Sequence, residues 1–138
     1  MTSAQRSLRL AQILLGITAL GTAAYWIAYL GGFRFSEGVE CSRALQLAQI
    51  PSNAWIVLCC CLGAVGIRRE RRWGLLMTAA AASAGLYIGL LDITFNLRAG
   101  TYTRLPWGEL APELFANSVS TLLPAYLFSV VLRAPAWR

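Results

Sequence analysis

From Leu10 to Leu30 the chain runs 21 residues without a charge. A helix of that length rises about 30 Å, the thickness of a bilayer's hydrocarbon layer. Three more apolar runs follow, at about residues 51–67, 74–97 and 113–132, with arginine or turn-forming residues between them. Together the four runs take up more than half of the 138-residue chain. In lipid each must satisfy its own backbone groups, and a helix does so within one segment. The expected fold is all-α and integral to the membrane. It is a four-transmembrane-helix bundle, one domain over residues 1–138, with outer loops at 31–50 and 98–112.

The charges agree. Charged residues make up 13% of the chain, against about 25% in a soluble domain. The net charge is +6, but all twelve basic residues are arginines at the ends of apolar runs. That pattern predicts the lipid bilayer as a partner and no nucleic acid. Histidine is absent, which removes imidazole as a ligand or base. Cys59, Cys60 and Cys61 are consecutive, and neighbours on a helix point about 100° apart, so they read as packing residues. No CxxC is present. No metal and no cofactor are expected. Cys41 stands apart, as a free thiol or a partner for another chain. The first run is too long for the apolar part of a signal peptide.

Arginine also sets the orientation. The N-terminal segment, the turn after the second run and the C-terminal tail hold Arg6, Arg9, Arg68, Arg69, Arg71, Arg72, Arg133 and Arg138. The two other loops hold Arg34, Arg43, Arg98 and Arg104. Positive charge favours the cytoplasmic side, so both termini are expected in the cytoplasm, and an even number of spans likewise puts them on one side. The expected location is a bacterial plasma membrane, crossed several times. Arg68, Arg69, Arg71 and Arg72 form a topology signal, with contact to lipid headgroups as a second role.

Between the first two runs, Cys41, Ala44, Leu45 and Ala48 have helical spacing and predict a short surface helix. Pro51 is expected to stop or kink it, and Ser52 or Asn53 to cap the next helix. In the third run Thr78, Ala81, Ala82, Gly85, Gly89, Asp92 and Asn96 recur every three or four residues and share a face. Gly85 and Gly89 form a GxxxG pair that favours close helix packing, within the chain or across a dimer. Pro124 is expected to kink the fourth run or free a carbonyl in it.

Asp92 is the one acid inside an apolar run. It lies six residues before Arg98, about 9 Å along a helix. An acid there must face protein, water or a partner. Asn96 follows one turn later, and four-span topology brings Asn117, Thr121, Asn53 and Tyr25 to the same end. Two readings stay open. One is an outward-facing polar pocket around Asp92 for a small apolar or cationic ligand. The other is a hydrogen-bonded clasp between the third and fourth spans. A non-enzymatic binding protein, or an accessory subunit in a homo-oligomer or larger membrane complex, is the leading expectation. A proton-coupled transporter or membrane-embedded enzyme using Asp92 is the alternative. No catalytic residues are assigned, because no Ser–His–Asp set and no Gly-rich phosphate loop are present. Glu37 with Glu40, and Glu109 with Glu113, read as solvated loop pairs.

Two segments, Pro51-Ser52-Asn53-Ala54-Trp55 and Asp92-Ile93-Thr94-Phe95-Asn96-Leu97 with Gly100 and Tyr102, resemble uncharacterised small four-span membrane proteins of bacteria. In that pattern the place of Asn53 is often acidic, so the departure leaves Asp92 as the single intramembrane acid. The resemblance implies a fold and no activity. The Pro51–Trp55 segment, Pro124 and Arg133-Ala134-Pro135 are more faintly similar to EXPERA bundles, which include sterol isomerases and the sigma-2 receptor. The acids of those bundles lie in earlier spans, where this chain has none, so no sterol chemistry carries over.

Overall fold

The computed structural model describes residues 3–32 and 40–134, without the side chains of 40–46 and of Glu109. Arg34, Glu37 and Arg138, and the side chains of Glu40, Cys41, Arg43 and Glu109, lie outside the described residues, and so does the pairing of Cys41. Among the described residues the elements are α1 (Ser3–Leu30), α2 (Glu40–Arg68), α3 (Arg72–Ala99), the single turn α4 (Thr101–Arg104) and α5 (Trp107–Arg133). Four helices are long and apolar enough to cross a membrane, over Ser3–Leu30, Leu47–Arg68, Arg72–Ala99 and Leu110–Arg133.

α1 begins at Ser3, ahead of the expected Leu10. The starts of the second and fourth spans also differ from the sequence expectation, and proline is the reason for both. The second span is expected to begin at Pro51 behind a separate surface helix. Instead α2 is continuous from Glu40 and contains Pro51. Ser52 and Asn53 are therefore interior residues of the helix rather than caps, and the loop expected at 31–50 gives way to helix from Glu40. Likewise α5 starts at Trp107 and carries both Pro112 and Pro124. Proline removes one amide donor and displaces the carbonyl four residues back, but in a packed membrane helix neighbouring helices can take up the freed groups.

The core mixes small side chains with a few aliphatic ones, among them Leu15, Ile56, Ile67, Ile88 and Leu127. Leu8, Ala11, Leu15 and Ala19 form the buried stripe of α1. Cys59 and Cys60 on α2 and Thr78, Ala81 and Ala82 on α3 are almost fully buried, whereas Cys61 is exposed. Large apolar side chains point outward: Ile17, Leu20, Ile27, Leu76, Leu122 and Leu132 are 61–84% exposed. In water such a surface would be a liability. In lipid it costs nothing, and close packing of small residues holds helices together instead.

At the base of the α2–α3 hairpin the backbones nearly touch. A Cβ on Gly66 or on Gly74 would collide with the backbone of the facing helix. Higher up, a Cβ on Gly63 would lie 2.9 Å from the Thr78 hydroxyl and 3.3 Å from Leu15 of α1, so three helices converge there. The strongest packing is α2 on α3, then α3 on α5 and α1 on α2, while α1 and α5 meet only briefly. Gly100, at φ 70°, ends α3 in the left-handed region, and its amide bonds back to the Asn96 and Leu97 carbonyls.

Candidate functional site

The C-terminal ends of α1 and α3 and the N-terminal ends of α2 and α5 lie at one end of the bundle. Among the described residues, the buried polar side chains Asn96 and Asn117 lie there, and Thr78 does not. Two helix registers fix their heights.

The first is between α3 and α5. A Cβ on Gly85 would meet the Pro124 ring at 3.1 Å, and one on Gly89 would lie 2.7 Å from the Ser120 carbonyl oxygen. Further along, Asn96 Nδ2 donates to Glu113 Oε2 at 3.5 Å. Four residues separate the two glycines and four separate Pro124 from Ser120. Seven separate Gly89 from Asn96 and seven separate Ser120 from Glu113. The antiparallel register is unbroken and sets Asp92 level with Asn117. Because residue 124 is proline, the Ser120 carbonyl has no amide four residues on. That carbonyl is the one that lies against Gly89.

The second register is between α2 and α3. Gln49 Nε2 donates to Asp92 Oδ1 at 2.8 Å. Gly63 faces Thr78, fourteen residues from Gln49 on one helix and fourteen from Asp92 on the other. Pro51 falls inside that stretch without adding or removing a residue from the register.

These contacts place each candidate residue. Asp92 is half-buried, one carboxyl oxygen held by Gln49. Asn96 is 9% exposed and reaches Glu113 at the long limit of a hydrogen bond. Asn117, 6% exposed, donates through Nδ2 to the Tyr102 hydroxyl of α4 at 2.7 Å. The Thr121 hydroxyl donates to the Asn117 carbonyl of its own helix at 2.8 Å. Asn53 Nδ2 donates to the Gln49 carbonyl at 3.0 Å, one turn back on α2. Tyr25 is half-buried, stacked on Tyr29 and edge-on to Trp26, within electrostatic reach of Glu113 and Asp92. Among the described residues, no buried side-chain nitrogen or oxygen lacks a partner.

The structure therefore gathers the expected residues at one end but pairs them differently. Asp92 is held from α2, while the hydrogen bonds of Asn117 and Thr121 run to α4 and to their own backbone. Gln49, Glu113 and Tyr102 are the additions. Glu113, expected on a solvated face, is half-buried beside Asn96. Gln49 carried no signal, being a neutral amide in a stretch whose pattern read as a surface helix. Tyr102 stood in the resemblance pattern without a role.

Chemically the end offers two carboxyl groups from α3 and α5, four side-chain amides and three phenols, two of them with Trp26 on the α1 side. Among the described residues, no three acidic or thiol side chains come together as a metal site would need. The basic residues of the hairpin turn, Arg68, Arg69, Arg71 and Arg72, lie at the opposite end, all exposed. The chain matches no family model, no curated protein and no solved structure.

Proposed function

We propose that this is a non-enzymatic multi-pass membrane protein that holds a small apolar or cationic ligand at its Asp92 end. The observation that carries the reading is the state of Asp92. It sits within a span, yet it is half-buried rather than sealed in the core, with one carboxyl oxygen fixed by Gln49. An intramembrane acid held in place and still partly open is suited to a cation, and Tyr25, within electrostatic reach of it and packed on Trp26 and Tyr29, suits the apolar part of one. Arginine distribution supports an orientation with both termini in the cytoplasm and this end outward, in what we propose is a bacterial plasma membrane.

A clasp, with the protein serving as an accessory subunit, is the second reading. The short bonds from Gln49 to Asp92 and from Asn117 to Tyr102 favour it, because both join separate elements. Binding of tetraphenylphosphonium to the protein in lipid nanodiscs separates the two. The ligand reading predicts saturable binding that falls at least tenfold in a folded Asp92→Asn variant. Equal affinity in both proteins, or no binding, returns Asp92 to the clasp. Uptake driven by a pH gradient in sealed vesicles, lost in the same variant, points to the proton-coupled alternative instead.

A further inference from the structure

We infer that the α2–α3 turn is a binding site for the phosphate headgroup of an anionic membrane lipid. Arg68, Arg69, Arg71 and Arg72 crowd one turn between two apolar helices, and all four are exposed. Glu70 is the only acid among them, so the turn carries a formal net charge of three. The turn is held tightly between the two helix ends, because the Gly66 and Gly74 backbones pack against each other immediately below it. Trp73, 36% exposed, follows the turn at the level where an apolar helix meets headgroups.

The backbone adds donors. The Arg71 amide bonds to Gly66 and the Gly74 amide to Arg71. Arg71, the N-cap of α3, makes no side-chain cap, and among the described residues the amides of Arg72 and Trp73 have no backbone acceptor. Guanidinium groups bind phosphate through paired N–H donors, and uncovered amides at a helix start suit the same anion. A phospholipid is the occupant that the position selects, since both flanking helices end at that level. This site is at the other end of the bundle from Asp92 and does not depend on the ligand proposed there.

The test uses the full chain in detergent micelles containing equal amounts of phosphatidylglycerol and phosphatidylcholine. Lipid retained after gel filtration is quantified by mass spectrometry. The wild type should retain phosphatidylglycerol in several-fold excess. Each arginine near a membrane surface contributes about a fivefold factor in affinity for anionic lipid, so Arg68→Gln/Arg72→Gln should abolish the preference. Arg98→Gln/Arg104→Gln, at the other end, should keep it, and Glu70→Gln should increase it without removing an arginine. The inference is overturned if the wild type shows no preference, or if the folded turn variant keeps it. It also fails if Glu70→Gln leaves it unchanged, or if inorganic phosphate displaces the lipid at equal concentration.

Discussion

Gln49 on α2 and Asp92 on α3 meet through a hydrogen bond of 2.8 Å, on the same register that seats Gly63 against Thr78. The hairpin is therefore in step along most of its length, from the arginine turn to the polar end. The acid of the third span has a partner whose position is set by helix packing.

That pairing gives the first prediction. Gln49→Leu removes the donor and leaves the Asp92 carboxyl without it, which should cost about 1–3 kcal/mol. Asp92→Asn keeps an acceptor in place and should cost under about 1 kcal/mol, in line with the modest value of polar contacts in membranes. Gln49→Leu/Asp92→Leu should cost less than the two single leucine changes added together. Reversible unfolding in mixed micelles, run as a double-mutant cycle, reads this coupling.

The α3–α5 contact gives a second, and it ranks two glycines. At Gly89 a methyl group would press on the Ser120 backbone, which cannot move without the helix. At Gly85 it would meet the edge of the Pro124 ring. Gly89→Ala should cost about 1–3 kcal/mol, the usual range for overpacking, and Gly85→Ala clearly less. Equal costs in the same unfolding experiment would mean that the two helices are not seated as described.

The hairpin turn yields a third. Glu70 has φ 52°, the one described non-glycine residue with positive φ. Side chains other than glycine's are strained there by roughly 1–2 kcal/mol. Glu70→Gly should relieve most of that, less the entropy glycine loses on folding, for a net gain of up to about 1 kcal/mol. Unchanged or lower stability would contradict the turn geometry.

The sequence made the four apolar helices legible because uncharged runs of span length have few other outcomes. It also made the small-residue face of α3 legible, since three- and four-residue spacing is the helix's own period. Residues at the polar end were readable by height, for antiparallel helices bring opposite ends together. Their partners were not. Gln49 reaches Asp92 only because α2 continues through Pro51, and local rules read proline as a stop. Glu113 reads as a loop acid until α5 begins at Trp107 and carries it beside Asn96. Which long polar side chain bridges two helices depends on rotation about the helix axis, and hydropathy does not encode that rotation.

Asp92 is the only aspartate in the chain, so carbon-13 labelling of aspartate places one carboxyl resonance on the residue at the centre of the account. The decisive measurement is that resonance in lipid nanodiscs during a titration with tetraphenylphosphonium. A ligand site at Asp92 predicts a saturable shift of the signal, with a parallel change at the Gln49 side-chain amide. A carboxyl resonance that stays in place throughout the titration would contradict the proposal and leave Asp92 as a clasp between α2 and α3.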